Sequence, residues 1–182
     1  MNAQEYKTAA NFWKAKERKE MPAIQLKPIV ESYIRKSSVC ALATGSGEQV
    51  RCTPIEYSYH DGAFWIFTEG GEKFIGLEHN KNVSLAVFDA NPRFGELKSV
   101  QVMGVAEIIE PMSDVYIAHA EYKKVPIAAL QKLADEGHPM YLLRIMPARV
   151  DVLFSELKKQ GYGSKQVLEL ADHAAAAYEQ RG

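Results

Sequence analysis

Residues 39–68 read VCALATGSGEQVRCTPIEYSYHDGAFWIFT, and the alternation of apolar runs with turn residues in this stretch decides the fold class. Val39 to Thr44 is an apolar run closed by the turn signal Gly45-Ser46-Gly47. Val50 to Tyr59 reads as a second strand, His60-Asp61-Gly62 as a tight turn, and Ala63 to Thr68, rich in Phe, Trp and Ile, as a third. Connections this short join antiparallel neighbours, so the expectation is a three-stranded meander. Glu69-Gly70-Gly71-Glu72 then leaves the third strand through glycines.

Downstream, a short helix is predicted from Lys73 to His79 and a strand from Val83 to Asp89, broken by Asn91-Pro92-Arg93. A long strand follows, Ser99 to Ile109, with Val100, Val102 and Gly104 on one face and Gln101 and Met103 on the other. Gly104 in mid-strand signals a bulge or a close backbone approach. Ser113 to Glu136 reads as helical, with Ser113 as N-cap, a break at Val125-Pro126, and Leu130, Leu133 and Ala134 facing the core. Met140 to Phe154 returns to strand, and Gln166 to Glu179 reads as an Ala-rich terminal helix.

Upstream, Tyr6, Ala9, Ala10, Phe12 and Trp13 recur at helical spacing over Ala3 to Lys19. A second helix, about Lys27 to Lys36, places Ile29, Val30, Tyr33 and Ile34 on one side, with Pro28 in its first turn. The resulting expectation is one domain, mainly β with flanking helices: a six-stranded antiparallel barrel over 37–154. Helices of 1–36 pack on it, a helical insert spans 113–137, and 155–182 is a helical tail.

The chain has 182 residues, 47% hydrophobic and 25% charged, which is ordinary globular composition. A formal net charge of −1 provides no basic excess, so nucleic acid is not an expected partner and a single-strand-binding barrel is the weakest reading. Met1 to Glu20 carries no apolar run, so neither a signal peptide nor a membrane span is expected and the cytoplasm is the expected compartment. Cys40 and Cys52 read as buried thiols without metal spacing. His60, His79, His119, His138 and His173 show no i, i+4 pair and read as exposed, so no metal site is expected. There is no Gly-x-Ser-x-Gly elbow and no Cys/His arrangement for covalent catalysis. Trp13 and Trp65 read as packing residues.

Four blocks together resemble the FMN-binding split-barrel superfamily, which includes pyridoxamine phosphate oxidase, nitroimidazole-resistance proteins and general-stress flavoproteins. They are Ala41-Leu42-Ala43-Thr44, Val50-Arg51-Cys52-Thr53-Pro54-Ile55, Phe64-Trp65-Ile66-Phe67-Thr68 with Lys73, and Asn82-Val83-Ser84-Leu85 followed by Val102-Met103-Gly104-Val105-Ala106-Glu107. The resemblance implies a split barrel with FMN at the interface of a homodimer. It implies that Arg51, Thr53, Thr68 and Lys73 hold the FMN phosphate. A guanidinium, an ammonium, hydroxyls and the free N–H groups of a helix N-terminus suit a dianion. Without the family pattern, Arg51 and Lys73 read as solvated charges and Thr53 and Thr68 as ordinary strand threonines. The resemblance further implies that Pro54, Ile55, Ile66 and Phe67 line a slot for the isoalloxazine ring and that Gln101 reaches in from the partner subunit.

An FMN-dependent oxidoreductase acting on a small molecule is the function so implied, with the flavin carrying the redox step and no side chain required as acid or base. Pyridoxamine phosphate oxidase itself closes with a Glu-Phe-Trp segment followed by arginine and histidine, whereas here Pro147-Ala148-Arg149-Val150-Asp151-Val152-Leu153 has Asp for Glu and no Trp. A reductase of nitro compounds, quinones or flavins fits equally. The alternative is a non-catalytic flavin or haem-type ligand carrier, or a stress sensor, on the same fold.

Overall fold

A computed structural model describes residues 2, 4–8 and 19–170. Residues 4–8 are helical, and the remainder of the expected N-terminal helix lies outside the described residues. Helix α1 spans Ala23–Lys36 and buries Leu26, Val30 and Ile34, a row at i, i+4 and i+8. It starts four residues earlier than the sequence suggests, so Pro28 sits inside it. Pro28 and Ile24 are both exposed, so the carbonyl that the proline leaves without a helical partner lies on the solvent side.

The strands are β1 Val39–Ser46, β2 Gln49–Glu56, β3 Ser58–His60, β4 Ala63–Thr68, β5 Asn82–Phe88, β6 Lys98–Ile109, β7 Tyr141–Phe154 and β8 Lys165–Glu169. Their order across one antiparallel sheet is β2-β1-β5-β6-β7-β4-β3, with β8 on β7. The expected strand from Val50 to Tyr59 divides at Tyr57: its first half pairs with β1 and its second with β4, at opposite ends of the sheet. Tyr57 is the pivot, buried, with its backbone N–H donating to Ser38 O at 2.8 Å and its hydroxyl to Ile34 O at 2.7 Å. The sheet therefore curls into a split barrel, and the expected meander and six strands become eight strands among the described residues.

The eighth strand overturns the start of the expected terminal helix. Gln166 and Leu168 turn inward while their neighbours stay out, and β8 pairs with Arg149 to Leu153. Buried Gln166 is satisfied there: Met21 N–H donates to its Oε1 at 2.8 Å, and its Nε2 donates to Gly163 O at 2.7 Å. Sheet pairing and this anchor outweigh helix propensity. Residues 171–182 lie outside the described residues.

Strand β4 is apolar from Ala63 to Phe67 because both of its faces are covered. Phe64 and Ile66 point into the barrel core with Leu42, Leu85, Val102 and Ile145. Ala63 and Trp65 face the opposite way, under the helices α3, Asp114–Tyr122, and α4, Ile127–Asp135. Ser113 caps α3 by accepting from Tyr116 N–H, and the chain breaks before Pro126 as expected. Leu130 is buried, but Leu133 is 38% exposed, because so short a helix rests on the sheet along one narrow stripe. Between Met103 and Gly104 the β6–β7 register shifts, and a Cβ on Gly104 would lie 2.5 Å from Met146 O.

Two further expectations change. Cys40 is buried but Cys52, of opposite strand parity, is exposed. His119, on α3, is buried against His60 and Trp65 rather than exposed. Among the described residues no helix is long and apolar enough to cross a membrane, and no group of three or more His, Cys, Asp or Glu is placed to hold a metal ion.

Candidate functional site

At the split, β2 and β4 are neighbours that do not pair, and helix α2, Lys73–His79, packs across β1 and β2 beside it. Alternation along β2 puts Arg51, Thr53 and Ile55 on one face, with Ile55 against the barrel core. Thr68 ends the inward row of β4 that Phe64 and Ile66 begin.

Between β4 and α2 the chain turns through Gly70 and Gly71, whose φ angles of 102° and 94° favour glycine strongly. That turn gathers the polar groups. Lys73, only 8% exposed, donates through Nζ to Gly70 O, and Thr68 Oγ1 lies 3.5 Å from the same carbonyl. Arg51 is ion-paired with Glu72. Burial first, and then the nearby Arg51 guanidinium, push the Lys73 pKa down, while Glu69 pulls it up. Thr53 Oγ1 is buried without a hydrogen-bond partner. Two cations that repel one another beside an unpartnered hydroxyl fit an anion better than they fit each other. The helix contributes less than expected, since Phe74 and Ile75 already give their N–H groups to Gly71 O and Glu72 O.

The remaining expected residues are not gathered with these. Pro54 lies on the opposite face of β2 and is exposed. Ile66 is wholly enclosed in the barrel core, and Phe67 points the other way, edge-on to Tyr116 with ring centroids 5.4 Å apart. Gln101 is exposed on β6, opposite Ala86 and Asp151, with β1 and β5 between it and β2.

One feature was not visible in the sequence. A cleft of about 420 Å³ opens over the sheet between the β1–β2 turn and β6, lined by Thr44, Gly45, Asn80, Ser84, Met103 and Gly104 among others. Thr44 pairs with Arg51, so the cleft adjoins the cationic end of β2. Its walls are small residues drawn from several strands, and only the pairing order brings them together.

With this geometry in place, the model of the pyridoxamine 5'-phosphate oxidase family matches residues 26–154, well over half of the chain. The chain belongs to that family. The match ends at Phe154 and so includes Arg149 and Asp151, which here pair with one another at 2.8 Å. Solved structures of similar fold include a FAD-binding protein from Mesorhizobium loti, 24% identical with a TM-score of 0.52, covering 71% of this chain and 90% of its own. General Stress Protein 26 from Bacillus anthracis is 19% identical with a TM-score of 0.55, over 80% and 98%. HutZ, the heme storage protein from Vibrio cholerae, is 17% identical with a TM-score of 0.53, over 67% and 89%. No curated protein matches the chain. These likenesses show a fold that the chain shares with a protein described as FAD-binding and with one described as a heme storage protein.

Proposed function

We propose that this chain binds FMN and uses it to oxidise or reduce a small molecule, working in the cytoplasm as a homodimer. The observation that carries the reading is the partnerless, buried Thr53 hydroxyl beside Arg51 and Lys73 at the barrel split. Arg51, Thr53, Thr68 and Lys73 would hold the phosphate. Arg51 exchanges its exposed partner Glu72 for the dianion, and Lys73, whose ammonium is disfavoured by burial and by Arg51, regains a counter-charge. Bound flavin would supply hydride and electron chemistry. The chain's part is to orient it: Pro54 and Ile55 on β2 and the backbone beside Ile66 and Phe67 lie along the split. Gln101 faces outward on β6, where a partner subunit would bring it to the other site.

The first test is the visible spectrum of the purified protein, followed by heat release and chromatography of the chromophore, with molar mass from light scattering. FMN released from a dimer supports the reading. A Soret band instead would support the second reading, a haem-type carrier, which the likeness to the heme storage protein HutZ keeps in view. Turnover of NADH or NADPH with an added acceptor then separates an oxidoreductase from a flavin carrier.

A further inference from the structure

On the outer face of the sheet, β3 and α3 bring two histidines edge to edge. His60 Nε2 and His119 Nδ1 are 3.0 Å apart, the ring planes differ by 9° and the centroids are 5.2 Å apart. So short an N···N distance with centroids so far apart places the contact in the plane of both rings, as a single N–H···N bond. The indole of Trp65 lies parallel to both rings, with centroids 5.1 Å from His60 and 4.9 Å from His119, and so spans the bond. The Tyr122 ring is 4.0 Å from His60, and Phe67 is 5.1 Å from His119. His60 Nδ1 meets Asp61 Oδ2 at 2.9 Å, toward solvent, while His119 is 2% exposed.

The bond joins the sheet to the first helix of the insert, and its chemistry depends on how many protons the pair holds. With both rings neutral, His60 gives its Nδ1 hydrogen to Asp61 and accepts at Nε2 from His119 Nδ1–H. With one added proton an arrangement that keeps the bond exists, in which the ring next to the Asp61 carboxylate carries both hydrogens. His60 Nε2 then donates to His119 Nδ1, the single hydrogen of His119 having moved from Nδ1 to Nε2, and the bond persists. A second proton sets two N–H groups and two positive charges against each other 3.0 Å apart. The other charged groups offer no relief: Lys123, just after α3, repels, and Arg144 of β7, 5.7 Å from the Trp65 ring, is paired with Glu107 of β6. Tyr116 and Tyr122 contribute rings, and α4 contributes the apolar Leu130.

We propose that the His60–His119 bond is a pH-sensitive latch for the helical insert, closed with no or one extra proton on the pair and opened by the second, which lifts α3 and α4 off Trp65 and Phe67.

Burial, then His60 and Lys123, hold His119 down at about 4 while the insert is docked, against an ordinary value of 6.5 when it is free. The docked value is the lower one, so docking is at full strength above pH 6.5 and weakens about tenfold per pH unit as pH falls from there toward 4. At pH 5.0 the loss amounts to about 30-fold.

Hydrogen exchange of the amides of 114–135, corrected for intrinsic rates and compared with those of β5 and β6, tests this at pH 7.5 and 5.0. Protection of the insert is expected to fall about 30-fold at pH 5.0 while the barrel strands hold theirs. His119→Phe and His119→Gln are each expected to abolish the difference. Unchanged protection of the insert, an equal loss throughout the barrel, or a pH response that survives in a folded His119 variant would each overturn the latch. The wild-type comparison decides the matter even if neither variant folds.

Discussion

Replacing Arg51 and Lys73 together by alanine separates a phosphate site from a ring site, because FMN and riboflavin share the ring and differ in the phosphate. A charge-assisted hydrogen bond contributes about 1.5–3 kcal/mol. Arg51 lies at the low end, since it is half exposed and gives up its pairing with Glu72, an exposed ion pair of about 0–1 kcal/mol. Its net contribution is about 1–2 kcal/mol, or about tenfold in affinity. Lys73 is buried and its ammonium donates to the Gly70 carbonyl rather than to a carboxylate, so its contribution is about 2–3 kcal/mol, or about 30- to 160-fold. The two act on one anion and are not independent, so the double variant should lose somewhat less than the product, about 10²-fold or more. Titration calorimetry or flavin fluorescence with the two ligands reads this directly, with riboflavin affinity expected to change by no more than about threefold. Equal losses for FMN and riboflavin would refute the phosphate assignment whatever their size.

Thr53→Val removes a buried hydroxyl that has no partner, so the free protein should be as stable as wild type or up to about 1 kcal/mol more stable by denaturant titration, while FMN binds about tenfold more weakly. A loss of stability in the free protein would show that the hydroxyl is already satisfied. FMN affinity should decline with rising pH from a lower pH than an ordinary lysine would set, because the depressed Lys73 loses its proton early; in Lys73→Arg the decline should vanish, as calorimetry across pH 7–10 would report. Gly104→Ala places a Cβ 2.5 Å from Met146 O and should cost about 2–4 kcal/mol, seen as a lowered Tm; a cost below about 0.5 kcal/mol would mean that the bulge yields freely.

Much of this molecule is legible along the chain, and the exceptions have physical causes. Turn glycines and period-two burial mark β1, β5 and β6, because burying one face of a strand writes itself into alternate residues, and a continuous apolar run marks β4, which is covered on both faces. Lys73–His79 and the capped helix after Ser113 follow in the same way from local signals. Gln166–Glu169 reads as the start of a helix because an alanine-rich run follows it, while the bonds that make it a strand go to β7 and to the segment around Met21. The division of one strand into β2 and β3 at Tyr57 likewise depends on partners far away in sequence.

The sequence by itself determined the β class, the insert, and the residue types of an anion site, since periodicity, turn chemistry and the family pattern are local or linear properties. Only the tertiary structure decided which of the candidates meet: Arg51, Thr53, Thr68 and Lys73 do, because sheet curl brings β2 alongside β4, and Pro54, Ile66, Phe67 and Gln101 do not. It alone joined His60 to His119 across 59 residues. A side chain's face follows from strand parity, but its neighbours follow from the order in which strands pair, and that order is set by burying the whole core at once.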